Sequence, residues 1–137
     1  MFAHLTLVVL KYFMTMPDIL PTIEFFAGLS EELSNVSLRR GKESGDRQVV
    51  LTFQKLKAIE KFQSFTKQFN GNLRLKDSEG EITINPSSVK FFFGGDDGDE
   101  LRGAQCGFEI NDAEHWERFM RFMKRYAEAN GMEYQDR

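Results

Sequence analysis

Apolar residues recur along this chain at two spacings: every second position through most of it, and every third or fourth in two stretches. Ile23 and Phe25 alternate with Thr22 and Glu24, predicting a strand that Gly28 ends. SEELS (30–34) reads as a short turn or helical loop. VSLRR (36–40) and RQVVLTFQ (47–54) predict two strands joined by GKESGD, a loop rich in turn residues. In the second strand Val49, Leu51 and Phe53 share one face, with Val50, Thr52 and Gln54 on the other. The same alternation returns in NLRLKD (72–77), in ITIN (82–85) after the turn SEGE, and in VKFFFGG (89–95) after a Pro86-Ser87-Ser88 break. Phe92 falls opposite Phe91 and Phe93, to be covered by another element or exposed as a contact. DDGDELRG (96–103) reads as a polar connection, and AQCGFEI (104–110) as the last strand, with Cys106, Phe108 and Ile110 aligned.

The period changes in LKAIEKFQSFTKQF (56–69). Leu56, Ile59, Phe62, Phe65 and Phe69 form one stripe of an amphipathic helix that Asn70-Gly71 terminates. It changes again in HWERFMRFMKRYAEANG (115–131). There Asp112 suits an N-cap, Gly131 a C-terminal stop, and Trp116, Phe119, Met120, Met123, Tyr126 and Ala127 make a broad core-facing stripe. Arg118, Arg121 and Arg125 fall on the opposite side, within about 60° of arc. Glu117 is placed to pair with Arg121, but such a pair contributes only tenths of a kcal/mol, so the sequence predicts an open, solvent-facing cationic surface. Together these elements predict one α+β domain. An antiparallel sheet of about four to six strands is covered by a Phe-rich helix over 56–69 and a C-terminal helix over 113–130.

With 137 residues, 41% hydrophobic and 28% charged, the chain has the composition of a single globular domain, its 14 Phe favouring a ring-built core. A formal charge of -3 argues against general nucleic-acid binding, which needs a basic footprint. One cysteine, Cys106, allows no internal disulfide and reads as an inert buried thiol. Two histidines provide no zinc spacing, and no constellation of nucleophile, base and oxyanion donors marks an enzyme. The acidic group Asp96, Asp97, Asp99 and Glu100 lacks the ligand spacing of a calcium loop and reads as a solvated hairpin loop. Residues 1–15, MFAHLTLVVLKYFMT, are too short to span a bilayer and lack the features of a secretory signal. They read as an extension ahead of a functional unit over 16–137.

WERFMRFMKRYAEANG (116–131) resembles the C-terminal signature of the Psb28 family, small assembly factors of photosystem II. The similarity continues in order through IEFFAGLSEEL, NVSLRR, VVLTFQKLKAI, LRLKDSEGEIT and VKFFFGG, covering the chain from Pro21 onward. Two departures, a missing proline at Lys55–Leu56 and the acidic GGDDGDE loop, look like a second cyanobacterial paralogue group. The resemblance implies a non-enzymatic protein without cofactors, peripheral to the thylakoid membrane on its cytoplasmic (stromal) side and without a transmembrane segment. Its implied partners are the C-terminal tail of the photosystem II core antenna subunit and the reaction-centre subunits, engaged by strand addition to an open sheet edge. On this expectation Arg39, Arg40, Arg118, Arg121 and Arg125 would steer docking, and Phe92 would supply an apolar contact. The rival expectation is a small RNA-binding module using strand aromatics and arginines, disfavoured by the acidic total charge.

Overall fold

A computed structural model describes residues 19–40, 46–58 and 71–133 of the chain. Eight strands precede a helix: β1 (Thr22–Phe26), β2 (Leu29–Glu31), β3 (Asn35–Arg40), β4 (Arg47–Phe53), β5 (Leu73–Asp77), β6 (Gly80–Ile84), β7 (Ser88–Gly94), β8 (Glu100–Ile110) and α1 (Ala113–Asn130). The α+β class stands, but the single sheet of four to six strands is corrected. The strands form two four-stranded antiparallel sheets, ordered β2-β1-β5-β6 and β3-β4-β8-β7. The reason is visible in the burial. Leu73 and Leu75 in one sheet and Val49, Leu51 and Phe53 in the other are all fully buried, so each apolar face requires a cover, and the sheets share one core with α1.

Two strand boundaries also differ from the periodic reading. SEELS is not wholly a loop: Leu29–Glu31 pair with β1 as a strand too short to display a period. The connection DDGDELRG is shorter than expected, because β8 begins at Glu100 and pairs with β7 as far as Gly94. Gly95 and Gly98, both at positive φ, close that acidic hairpin, with the Gly98 amide donating to the Gly95 carbonyl at 3.2 Å. The helix predicted over 56–69 falls mostly outside the described residues, as does the stretch 1–15; of the former, Leu56 and Ala58 are buried in the core.

Ring contacts tie the layers together. Phe25 of β1 meets Phe53 of β4 edge-on at 5.0 Å, joining the sheets, and Phe108 of β8 meets Phe119 of α1 at 5.7 Å. Asp112 caps α1, its Oδ1 accepting from the Glu114 and His115 amides at 2.8 and 3.1 Å. Gly131, left-handed at φ 67°, stops the helix where the sequence places its end. The buried face of α1 is Phe119, Phe122, Met123 and Tyr126. The predicted stripe is therefore rotated. Phe122 is fully buried, while Trp116 and Met120 are half-buried at the margin.

Candidate functional site

The rotation of α1 decides the fate of its arginines. At 100° per residue Arg118 lies only about 40° from Phe122, so the cationic row borders the buried face rather than opposing it. The end of β5 and the two-residue turn after it rise against this border, and bring Asp77 and Glu79 to the arginines. Arg118 grips Asp77 with both terminal nitrogens, Nη1 to Oδ2 at 2.9 Å and Nη2 to Oδ1 at 2.6 Å. Arg121 holds Glu79 in the same two-pronged way through Nε and Nη2, at 2.9 and 3.0 Å. Arg125 bridges both acids, reaching Asp77 at 3.0 Å and Glu79 in a short contact. The unpaired cationic face expected from sequence is thus corrected: all three guanidinium groups hold carboxylates of the first sheet, although the Arg121 side chain stays half exposed.

Burial of Asp77 would raise its carboxyl, but hydrogen bonds from Arg118, the Glu79 amide and Arg125 outweigh this and hold it below the ordinary carboxylate value. Hydrogen bonds from Arg121 and then Arg125 bring Glu79 down to about 2. The signal that could have revealed the network was the pair of acids flanking Ser78 in a predicted turn. Helical spacing alone looks only along α1 and cannot find partners about 40 residues away.

Arg39 and Arg40 have a different setting. They end β3, an outer strand of the second sheet, and both are exposed. Arg40 stands directly opposite Arg47 in the register of β3 with β4. Arg47 lies over the Trp116 ring, its guanidinium carbon 5.3 Å from the ring centre. Leu38, Arg39, Arg40, Arg47, Trp116 and Met120 line a shallow groove of about 260 Å³. Sequence reasoning singled out two of these residues and assigned Trp116 and Met120 to the core.

The other outer strand of the second sheet is β7. Between Phe92 and Phe93 its register with β8 shifts, Phe92 facing Gly103 and Phe93 facing Leu101, so that Arg102 is the additional residue. Phe92 is half-buried; the exposed ring is Phe93, at 56%. The structure therefore places the sequence-predicted residues in three locations: Arg39 and Arg40 beside the groove, Phe92 on the far edge of the same sheet, and the helix arginines on the β5–β6 turn.

Little in the described residues suggests chemistry. Burial pushes the Cys106 thiol up to about 12, leaving it protonated and unreactive. Among the described residues no three His, Cys, Asp or Glu side chains converge as metal ligands. No helix among them is long and apolar enough to cross a membrane.

Comparison with known proteins adds a family to this geometry. The family model described as "Psb28 protein" matches residues 23–134, from β1 past the end of α1. A "Photosystem II reaction center Psb28 protein" of Acaryochloris marina is 31% identical over 111 residues, covering 80% of this chain and 92% of the relative. Its namesake in Synechococcus sp. strain JA-3-3Ab is 32% identical over 111 residues, covering 81% and 95%. That of Cyanidioschyzon merolae is 30% identical over 115 residues, covering 83% and 96%.

Proposed function

The chain belongs to the Psb28 family, and from that membership we propose that it is a non-enzymatic accessory protein of photosystem II, acting in assembly or repair. The observation that carries this reading is the extent of the match, which takes in both sheets and the C-terminal helix. The relatives' names place them with the photosystem II reaction centre, and the same association is the role assigned to this chain. It docks peripherally on the cytoplasmic (stromal) face of the thylakoid membrane, against reaction-centre subunits and the C-terminal tail of the core antenna subunit.

The second sheet offers the means. Among the described residues its outer strands β3 and β7 each have a neighbour on one side, so an extended partner segment can continue the ladder with backbone hydrogen bonds. Arg39 and Arg40 on β3, and Phe92 with Phe93 on β7, are the side chains positioned to select that segment. Arg118, Arg121 and Arg125 contribute by fixing α1 to the β5–β6 turn, with the half-exposed Arg121 also available at the rim.

The test is affinity capture. The tagged full chain, incubated with solubilised thylakoid membranes, should retrieve reaction-centre and core antenna subunits. Recovery of neither would overturn the proposal.

A further inference from the structure

Eight arginines fall within the described residues, and five of them have a carboxylate partner. Arg74 pairs with Glu81, Arg102 with Glu100, and Arg118, Arg121 and Arg125 with Asp77 and Glu79. The three without an acidic partner are Arg39, Arg40 and Arg47, and these three line the same groove. Their clustering is unfavourable in the isolated chain. Arg40 and Arg47 sit directly across an antiparallel pair, where like charges destabilise. In a chain of net charge -3, this cluster of three arginines has no carboxylate within ion-pair distance among the described residues.

We infer that the groove receives an acidic segment of a protein partner, with carboxylates between Arg39, Arg40 and Arg47 and an apolar neighbour on Trp116 and Met120. The inference rests on the docking role proposed above and supplies its chemistry. Charge complementarity calls for an anion, and three further observations favour a polypeptide over a lipid surface. The groove has an apolar floor of Leu38, Met120 and the Trp116 ring, which suits a side chain. Trp, Arg and Met are the residue types enriched at protein interfaces, and the groove contains no lysine. It also adjoins the outer strand β3, whose backbone can register an extended chain but has no use for a headgroup. The stacking of Arg47 on Trp116 holds one guanidinium in place before the partner arrives, which lowers the ordering cost.

Trp116 is the single tryptophan of the chain and reports on the groove directly. A short fluorescein-labelled peptide alternating glutamate with leucine should bind the full chain saturably by anisotropy, and its unlabelled form should change Trp116 emission over the same concentrations. The Arg39→Glu/Arg40→Glu variant, at two exposed positions, should keep the wild-type circular dichroism and lose affinity about 10-fold or more. Binding should weaken as salt is raised. Absence of binding would overturn the inference. So would equal binding of the lysine-for-glutamate peptide, affinity unchanged in the double variant, or a Trp116 response confined to phosphatidylglycerol vesicles. If the chain captures photosystem II subunits but ignores the acidic peptide, the groove inference alone fails. If it binds the peptide as described but captures no subunits, the photosystem II role fails and the groove stands.

Discussion

Arg118 and Asp77, 41 residues apart, meet in a two-pronged ion pair in which the Asp77 side chain is wholly buried and the Arg118 side chain is 20% exposed. This pair attaches α1 to the end of the first sheet, while Phe108 and Phe119 attach it to the second. A helix tied to both sheets couples the placement of one to the other.

Asp77→Ala should therefore destabilise the domain by about 2–4 kcal/mol in chemical denaturation, because it takes the two-pronged carboxylate partner from the mostly buried Arg118 guanidinium. Arg121→Ala, which removes a half-exposed partner of Glu79, should cost clearly less than Asp77→Ala in the same measurement. Equal losses for the two variants would refute this division of roles.

The carboxyls predict opposing responses to pH. Asp77 and Glu79 are held below their ordinary values of 3.8 and 4.5 in the folded chain. Their contribution is therefore complete above about pH 4.5 and fades as pH falls towards 2. Glu31 shifts the other way: burial raises it, although its carboxylate accepts from the Lys57 and Ala58 amides at 2.6 and 3.0 Å. Its contribution is complete below 4.5 and is lost as pH rises through its elevated folded value. Thermal melts should show acid destabilisation that Glu79→Gln reduces, and a mild decline above pH 4.5 that Glu31→Gln flattens.

Tyr126 makes a second long-range tie. Its buried hydroxyl accepts from the Leu33 amide at 2.9 Å, fixing the β2–β3 connection where the chain passes from one sheet to the other. Tyr126→Phe preserves the ring but leaves that amide unsatisfied, for an expected loss of about 1–2 kcal/mol. Hydrogen exchange at Leu33 should accelerate in the variant while the strand amides of β4 remain protected.

Gly103 is required by proximity. A Cβ there would lie 2.1 Å from the Phe53 carbonyl oxygen, so any side chain must push β8 away from the end of β4. Gly103→Ala should cost at least about 2 kcal/mol and broaden the amide resonances of both strands. Gly98→Ala, in the open hairpin loop, meets no atoms and should show only the smaller strain of its positive φ.

How much of this was legible from the sequence depended on the range of each interaction. Alternating rows such as Val49, Leu51, Phe53 were readable, because strand burial follows the period of two. So were the Asp112 and Gly131 caps, because capping is local. The division into two sheets was not, since nothing in the alternation of β1 says that its partner will be β5 rather than β4. The α1 face was misjudged by one row because Phe122 sits among arginines. Their charge suggested solvent, whereas Asp77 and Glu79 neutralise them beside the core. Arg39 and Arg40 were found as candidates, but Arg47 and Trp116, which complete their groove, come from β4 and α1 and converge only in the folded chain.

The arrangement of the second sheet bears on how copies of this protein treat one another. A sheet with β3 at one end and β7 at the other presents two edges through which copies can pair. Two β3 edges brought together would oppose Arg39, Arg40 and their counterparts, a repulsion that leaves β3 free for an unlike, anionic guest. Arg39 and Arg40 thus disfavour the pairing of two β3 edges, whatever segment that strand accepts.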